Sequence, residues 1–120
     1  MTRSDFRKEL LKIMPGYKWT VHKPIAVYAD EESDYMQATG IQTKGFNRIS
    51  TLQVTRRKRN DEIEYEAKSS GFGKKTGWLA TYTDTTVARA LRGLQAFYEN
   101  MASTYSDHAR KLQLGRIDKQ

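Results

Sequence analysis

Phe6, Leu10, Ile13 and Met14 recur at three- and four-residue intervals, the spacing of one apolar face of a helix. Thr2 or Ser4 can cap its start, and Pro15-Gly16 ends it. The period then changes to two. Tyr17, Trp19 and Val21 alternate with Lys18, Thr20 and His22, which predicts a half-buried strand ending at Pro24. Ala29 to Asp34 is acidic and reads as an exposed loop. A further strand is predicted from Tyr35 to Gln42, and Lys44-Gly45 marks a bend or bulge before a strand that begins near Phe46. Ile49 to Thr55 forms the first arm of a hairpin, Arg56-Arg57-Lys58-Arg59-Asn60-Asp61 its turn, and Glu62 to Lys68 its second arm. In that second arm Ile63, Tyr65 and Ala67 share one face, while Glu62, Glu64, Glu66 and Lys68 share the other.

A glycine-rich stretch, Ser69 to Gly77, leads to Trp78-Leu79 and to Asp84, a suitable N-cap. Beyond it Val87, Leu91, Leu94, Tyr98, Met101, Tyr105, His108 and Leu112 alternate by fours and threes, the seam of a long helix. Ser103 to Asp107 is a poor helical stretch and a candidate break, and Gly115 is a candidate cap. The expected fold is α+β: an N-terminal helix, a three- or four-stranded antiparallel sheet and a long C-terminal helix packed on it. Residues 1–114 form one domain, and 115–120 a polar tail. The helical seam continues past what a small sheet can bury. Met101, Tyr105 and Leu112 therefore offer a surface to another chain, a homodimer being one expected outcome.

The length of 120 residues suits a single hydrophobic core and leaves no room for a second catalytic domain. The net charge of +7 changes the picture more, because it favours an anionic partner such as nucleic acid, an anionic membrane surface or an acidic protein face. The absence of cysteine excludes disulfides, thiolate metal sites and cysteine nucleophiles. Residues 1–9 are charged and lack the apolar stretch of a signal peptide or membrane span, so a soluble cytoplasmic protein is expected.

Four adjacent cations, Arg56, Arg57, Lys58 and Arg59, are the strongest functional signal. At a hairpin tip their guanidinium and ammonium groups could reach phosphates in a groove; the competing reading is a solvated turn that protects a strand edge. Lys74 and Lys75, with Arg89 and Arg92 three residues apart on the polar face of the helix, are the further candidates. Phe72 and Trp78 could stack on unpaired bases or plug the core edge. Gly71-Phe72-Gly73-Lys74-Lys75-Thr76 lacks the spacing of a phosphate loop and does not run directly into a helix. His22 and His108 are isolated, so no catalytic pair, metal site or cofactor is assigned.

Over residues 4–98 the element order, with Lys74-Lys75 and the run Val87-Ala88-Arg89-Ala90-Leu91, resembles the double-stranded-RNA-binding domain. That resemblance implies phosphate contacts from Lys74 and Lys75 across a groove. The same order, with Glu66-Ala67-Lys68 on a strand, is similar to the minimal core of the PD-(D/E)xK nucleases and implies a magnesium-dependent alternative. The strand from Phe46 to Thr55 supplies no second carboxylate for such a site, leaving Asp30 or Asp34 as substitutes. Gly45 to Leu52 and Ala88 to Gln95 resemble stretches of small phage and prophage accessory proteins. The expected function is a basic nucleic-acid-binding domain, for DNA or RNA, acting through phosphate contacts. Its main rival is a phage-encoded inhibitor or adaptor of a bacterial host protein, contacting it through Trp78, Phe72 or the Tyr105 region.

Overall fold

The computed structural model describes residues 1–23, 35–70 and 77–117. Helix α1 (Arg3–Ile13) is followed by strands β1 (Lys18–Val21), β2 (Met36–Lys44), β3 (Asn47–Arg59), β4 (Glu62–Ser70) and β5 (Ala80–Asp84), and then by helix α2 (Val87–Ile117). The five strands form an antiparallel meander in chain order, so the α+β expectation holds with five strands in place of three or four. The strand missed by the sequence pattern is β5. Its residues Ala80-Thr81-Tyr82-Thr83-Asp84 carry no alternation of apolar and charged side chains, and pairing with β4 alone identifies it.

Both helices lie on one face of the sheet. Trp19 and Val21 of β1, Met36 and Ala38 of β2, Leu52 and Val54 of β3 and Tyr65 and Ala67 of β4 point to that face, where Phe6, Leu10, Val87, Ala90, Leu91 and Leu94 close the core. α1 packs over β1 and α2 over β4 and β5. Thr2 caps α1 through a reciprocal pair of bonds with Asp5. The backbone N–H and then the hydroxyl of Thr2 hold the Asp5 carboxyl below its ordinary value. At the other helix the expected cap is displaced. Thr86, not Asp84, caps α2, its hydroxyl accepting from the Arg89 N–H at 3.1 Å, because Asp84 is still in the ladder opposite Tyr65.

The helix α2 is continuous from Val87 to Ile117, with neither the break expected at 103–107 nor the cap expected at Gly115. From Ala102 onward its residues are exposed. The resulting shape is elongated, 70 × 38 × 26 Å, with a radius of gyration of 18.3 Å. A compact chain of this length would have a radius of about 14 Å.

The hairpin of β3 and β4 corrects the sequence reading most. Strand pairing runs through Arg56↔Tyr65, Arg57↔Glu64, Lys58↔Ile63 and Arg59↔Glu62, so the four cations belong to the strand. The turn is only Asn60-Asp61, both in the left-handed region at φ 54° and 64°. Two such residues make the tight connection whose twist matches paired strands, and Asn and Asp tolerate it among non-glycine residues. Asp61→Gly is therefore expected to stabilise the fold slightly, because it relieves about 1–2 kcal/mol of left-handed backbone strain against about 0.4–1 kcal/mol of added unfolded-state entropy, and Asp61→Val to destabilise it. Urea denaturation followed by circular dichroism checks both signs.

Candidate nucleic-acid interface

Because the four cations lie on a strand, successive side chains leave on opposite faces. Arg57 and Arg59 project from the face away from the helices, where β4 presents Glu62, Glu64 and Glu66. Arg57 bridges Glu64 and Glu66, each at 3.4 Å, and Arg59 reaches Glu64 at 3.3 Å. Lys68 joins the same ladder at 3.7 Å from Glu66. The glutamates thus form the strand face paired with neighbouring arginines that their alternation suggests. Glu66 and Lys68, the pair similar to a nuclease signature, are engaged with each other and with Arg57. Among the described residues no cluster of His, Asp and Glu is arranged to hold a metal ion.

Arg56 and Lys58 leave on the helix-bearing face. Arg56 Nε donates to the Tyr65 hydroxyl at 3.2 Å. Tyr65 is buried, with its ring 6.3 Å from that of Phe6, and its neighbour in β5 is Asp84. Asp84 in turn sits 3.9 Å from Arg89 Nε. A row from Arg56 through Tyr65 and Asp84 to Arg89 therefore ties the end of β3 to the first turn of α2. Lys58 stands two residues beyond Arg56, and exposed Arg92 one helical turn beyond Arg89.

The burial of these cations differs in a way that matters chemically. Arg57 is 25% exposed and held between two carboxylates, whereas Arg59 and Arg89 are 68% and 66% exposed and each meets a single acid, at 3.3 Å and 3.9 Å. The weakly held, solvated guanidinium groups can exchange a carboxylate for a phosphate at little cost; the doubly bridged one cannot. Both helices also begin at this end of the sheet, since Phe6 of α1 abuts Tyr65 and α2 starts just after Asp84. Their N-terminal backbone dipoles add positive potential there.

Lys74, Lys75 and Phe72, like Asp30, Asp34 and the acidic stretch 29–34, lie outside the described residues. Trp78 is 42% exposed, two residues before half-buried Ala80 at the start of β5, and is not among the residues that close the core. His22 bonds Thr39 Oγ1 at 2.7 Å on the helix-free face, and His108 is exposed on the projecting part of α2, so the two are unrelated in space as in sequence. The contributions of Tyr65 and Asp84 were not foreseen. The first follows from counting back through an Asn-Asp turn; the second required knowing that β5 exists.

No helix among the described residues is long and apolar enough to cross a membrane. Comparison with known proteins finds no family model, curated protein or solved structure that matches the chain.

Proposed function

We propose that the protein binds nucleic acid through phosphate contacts made at the β3–β4 hairpin end of the helix-bearing face of the sheet, with Arg56, Lys58, Arg89 and Arg92 as the contacting cations. The observation that carries this reading is the row from Arg56 to Arg89, which brings two cation groups distant in sequence to one end of one face. Arg57 is excluded from the contact set, because its charge is committed to Glu64 and Glu66. No base-reading element enters the proposal, so sequence selectivity is expected to be low.

The test is fluorescence anisotropy with labelled DNA and RNA duplexes and single strands across a range of salt. A footprint of about four phosphates gives a slope of log affinity against log salt near −3.6, or about a hundredfold loss between about 50 and 200 mM. Absence of binding at low salt, or binding that salt leaves unchanged, would overturn the proposal.

A further inference from the structure

The projecting half of α2 and an apolar groove beside its root have one occupant in common, and we infer that it is the α2 helix of a second copy of this chain, running antiparallel. The helix leaves the sheet near Tyr98 and continues to Ile117, with Tyr105 64%, Leu112 70%, Leu114 58% and Ile117 63% exposed. A free helix of about this length is marginal in water, so an unbroken one carrying an apolar seam calls for a packing partner. The seam is a continuation of the stripe that packs on the sheet: Leu91, Leu94 and Tyr98 lead directly into Met101, Tyr105, His108, Leu112 and Gly115.

Self-pairing follows from the order of sizes along that seam. In an antiparallel pair centred between residues 106 and 107, Met101 of one chain faces Leu112 of the other and Tyr105 faces His108, while Gly115 comes level with Tyr98, whose ring packs on its own core and whose hydroxyl bonds Ser69. Gly115, without a side chain, lets the partner's backbone pass close to that already filled position. Along one flank Ala102 and Ala109 of the two chains are neighbours, two residues off level, and two alanines there let the backbones approach closely. The charges choose the same direction. Lys111 and Arg116 lie toward the C-terminal end and Glu99 toward the root, so a parallel pair would stack cation on cation, whereas an antiparallel pair brings Arg116 to Glu99.

The groove supplies a second, independent observation. A cavity of about 530 Å³ opens between α1, the sheet and α2, walled on the α2 side by Leu94, Tyr98, Glu99 and Ala102 and lined also by exposed Ile49 and Leu79. Tyr98, Glu99 and Ala102 stand level with positions 115, 114 and 111 of the antiparallel partner. Leu112 of the second copy, the large apolar side chain of the seam in that stretch, would enter it. Each copy offers the same groove and the same helix end, so the contact closes with two-fold symmetry.

The absence of cysteine makes the register directly testable. Sedimentation of nuclease-treated protein should show a dimer of the 13.9 kDa chain, converted to monomer by Leu112→Asp with an unchanged circular dichroism spectrum in the sheet region. Under oxidation, a mixture of Ala102→Cys and Ala109→Cys chains should cross-link to each other, while neither cross-links alone; two positions seven apart on one helix are too distant to bridge internally. A monomer at hundreds of micromolar, or efficient self-cross-linking of Ala102→Cys, overturns the inference. Neither outcome bears on phosphate binding at the opposite end of the sheet.

Discussion

Replacing Trp19 with alanine is expected to cost about 3–5 kcal/mol, a large part of the stability of a domain of this size. Trp19 is 2% exposed at the centre of the core, and its indole Nε1 donates to the Met14 carbonyl at 3.1 Å, so one side chain fixes the end of α1 to the sheet. Its cross-strand partner is Gly40. A Cβ at position 40 would lie 2.8 Å from the indole ring, closer than real contacts allow, so the ring occupies the space that a side chain on β2 would take. Gly40→Val should therefore destabilise the fold by about 1–3 kcal/mol, through overpacking against a ring that cannot move. The two changes must be strongly non-additive. In the Trp19→Ala background the valine enters space already vacated, and most of its cost disappears. Gly93 provides the contrast: a Cβ there would also strike a ring, that of Tyr82, but Tyr82 is 40% exposed on an edge strand and can swing out. Urea denaturation of the single and double variants, followed by far-ultraviolet circular dichroism, measures the coupling. Costs that simply add would show that Gly40 is not shaped by Trp19.

Where apolar residues recur with one period and both ends carry a stop, as in α1 between Thr2 and Pro15-Gly16, the element and its buried face are legible in the sequence. Trp19, Tyr65 and the Val87 to Tyr98 stripe were legible for the same reason. β5 was not, because Thr81, Tyr82 and Thr83 satisfy no period and the strand exists only through bonds to β4. The cation run misled for a physical reason: adjacent like charges look like a turn, yet pairing across to Glu64 and Glu66 neutralises half of them inside a strand. Local repulsion was visible, and the long-range compensation was not. Gly115 misled similarly, since a glycine preceding a polar end suggests a cap, while the helix continues to Ile117. The candidate site inherits this division. Its cations could be named from the sequence, but their distribution over two faces depends on a register set by two residues, Asn60 and Asp61.

That distribution predicts that charge changes within the run will have unequal effects. Reversing Lys58 and Arg89 together is expected to lower affinity for nucleic acid at least a hundredfold at low salt. Each lost phosphate contact removes a charge-assisted bond of about 1.5–3 kcal/mol, and about 1.4 kcal/mol is tenfold. The salt slope should fall by about two, one per contact. Lys44→Glu with Arg48→Glu supplies the control. It changes net charge equally but sits at the other end of β3, at the β2–β3 hairpin, so only the general attraction declines. Arg57→Met is expected to behave in a third way. It leaves affinity within about twofold but removes the cation that Glu64 and Glu66, 18% and 20% exposed, share, leaving Arg59 on the one and Lys68 on the other, at a cost of about 1 kcal/mol. Anisotropy titrations and urea denaturation of the same three proteins separate the outcomes. If Arg57→Met weakens binding as much as the Lys58 and Arg89 reversal does, the run acts as one cationic patch and the two-face assignment is wrong. If all three lose affinity in proportion to charge alone, binding has no location on this surface. Loss confined to the Lys58 and Arg89 variant places the phosphates on the helix-bearing face, at the end where Tyr65 and Asp84 join β3 to α2.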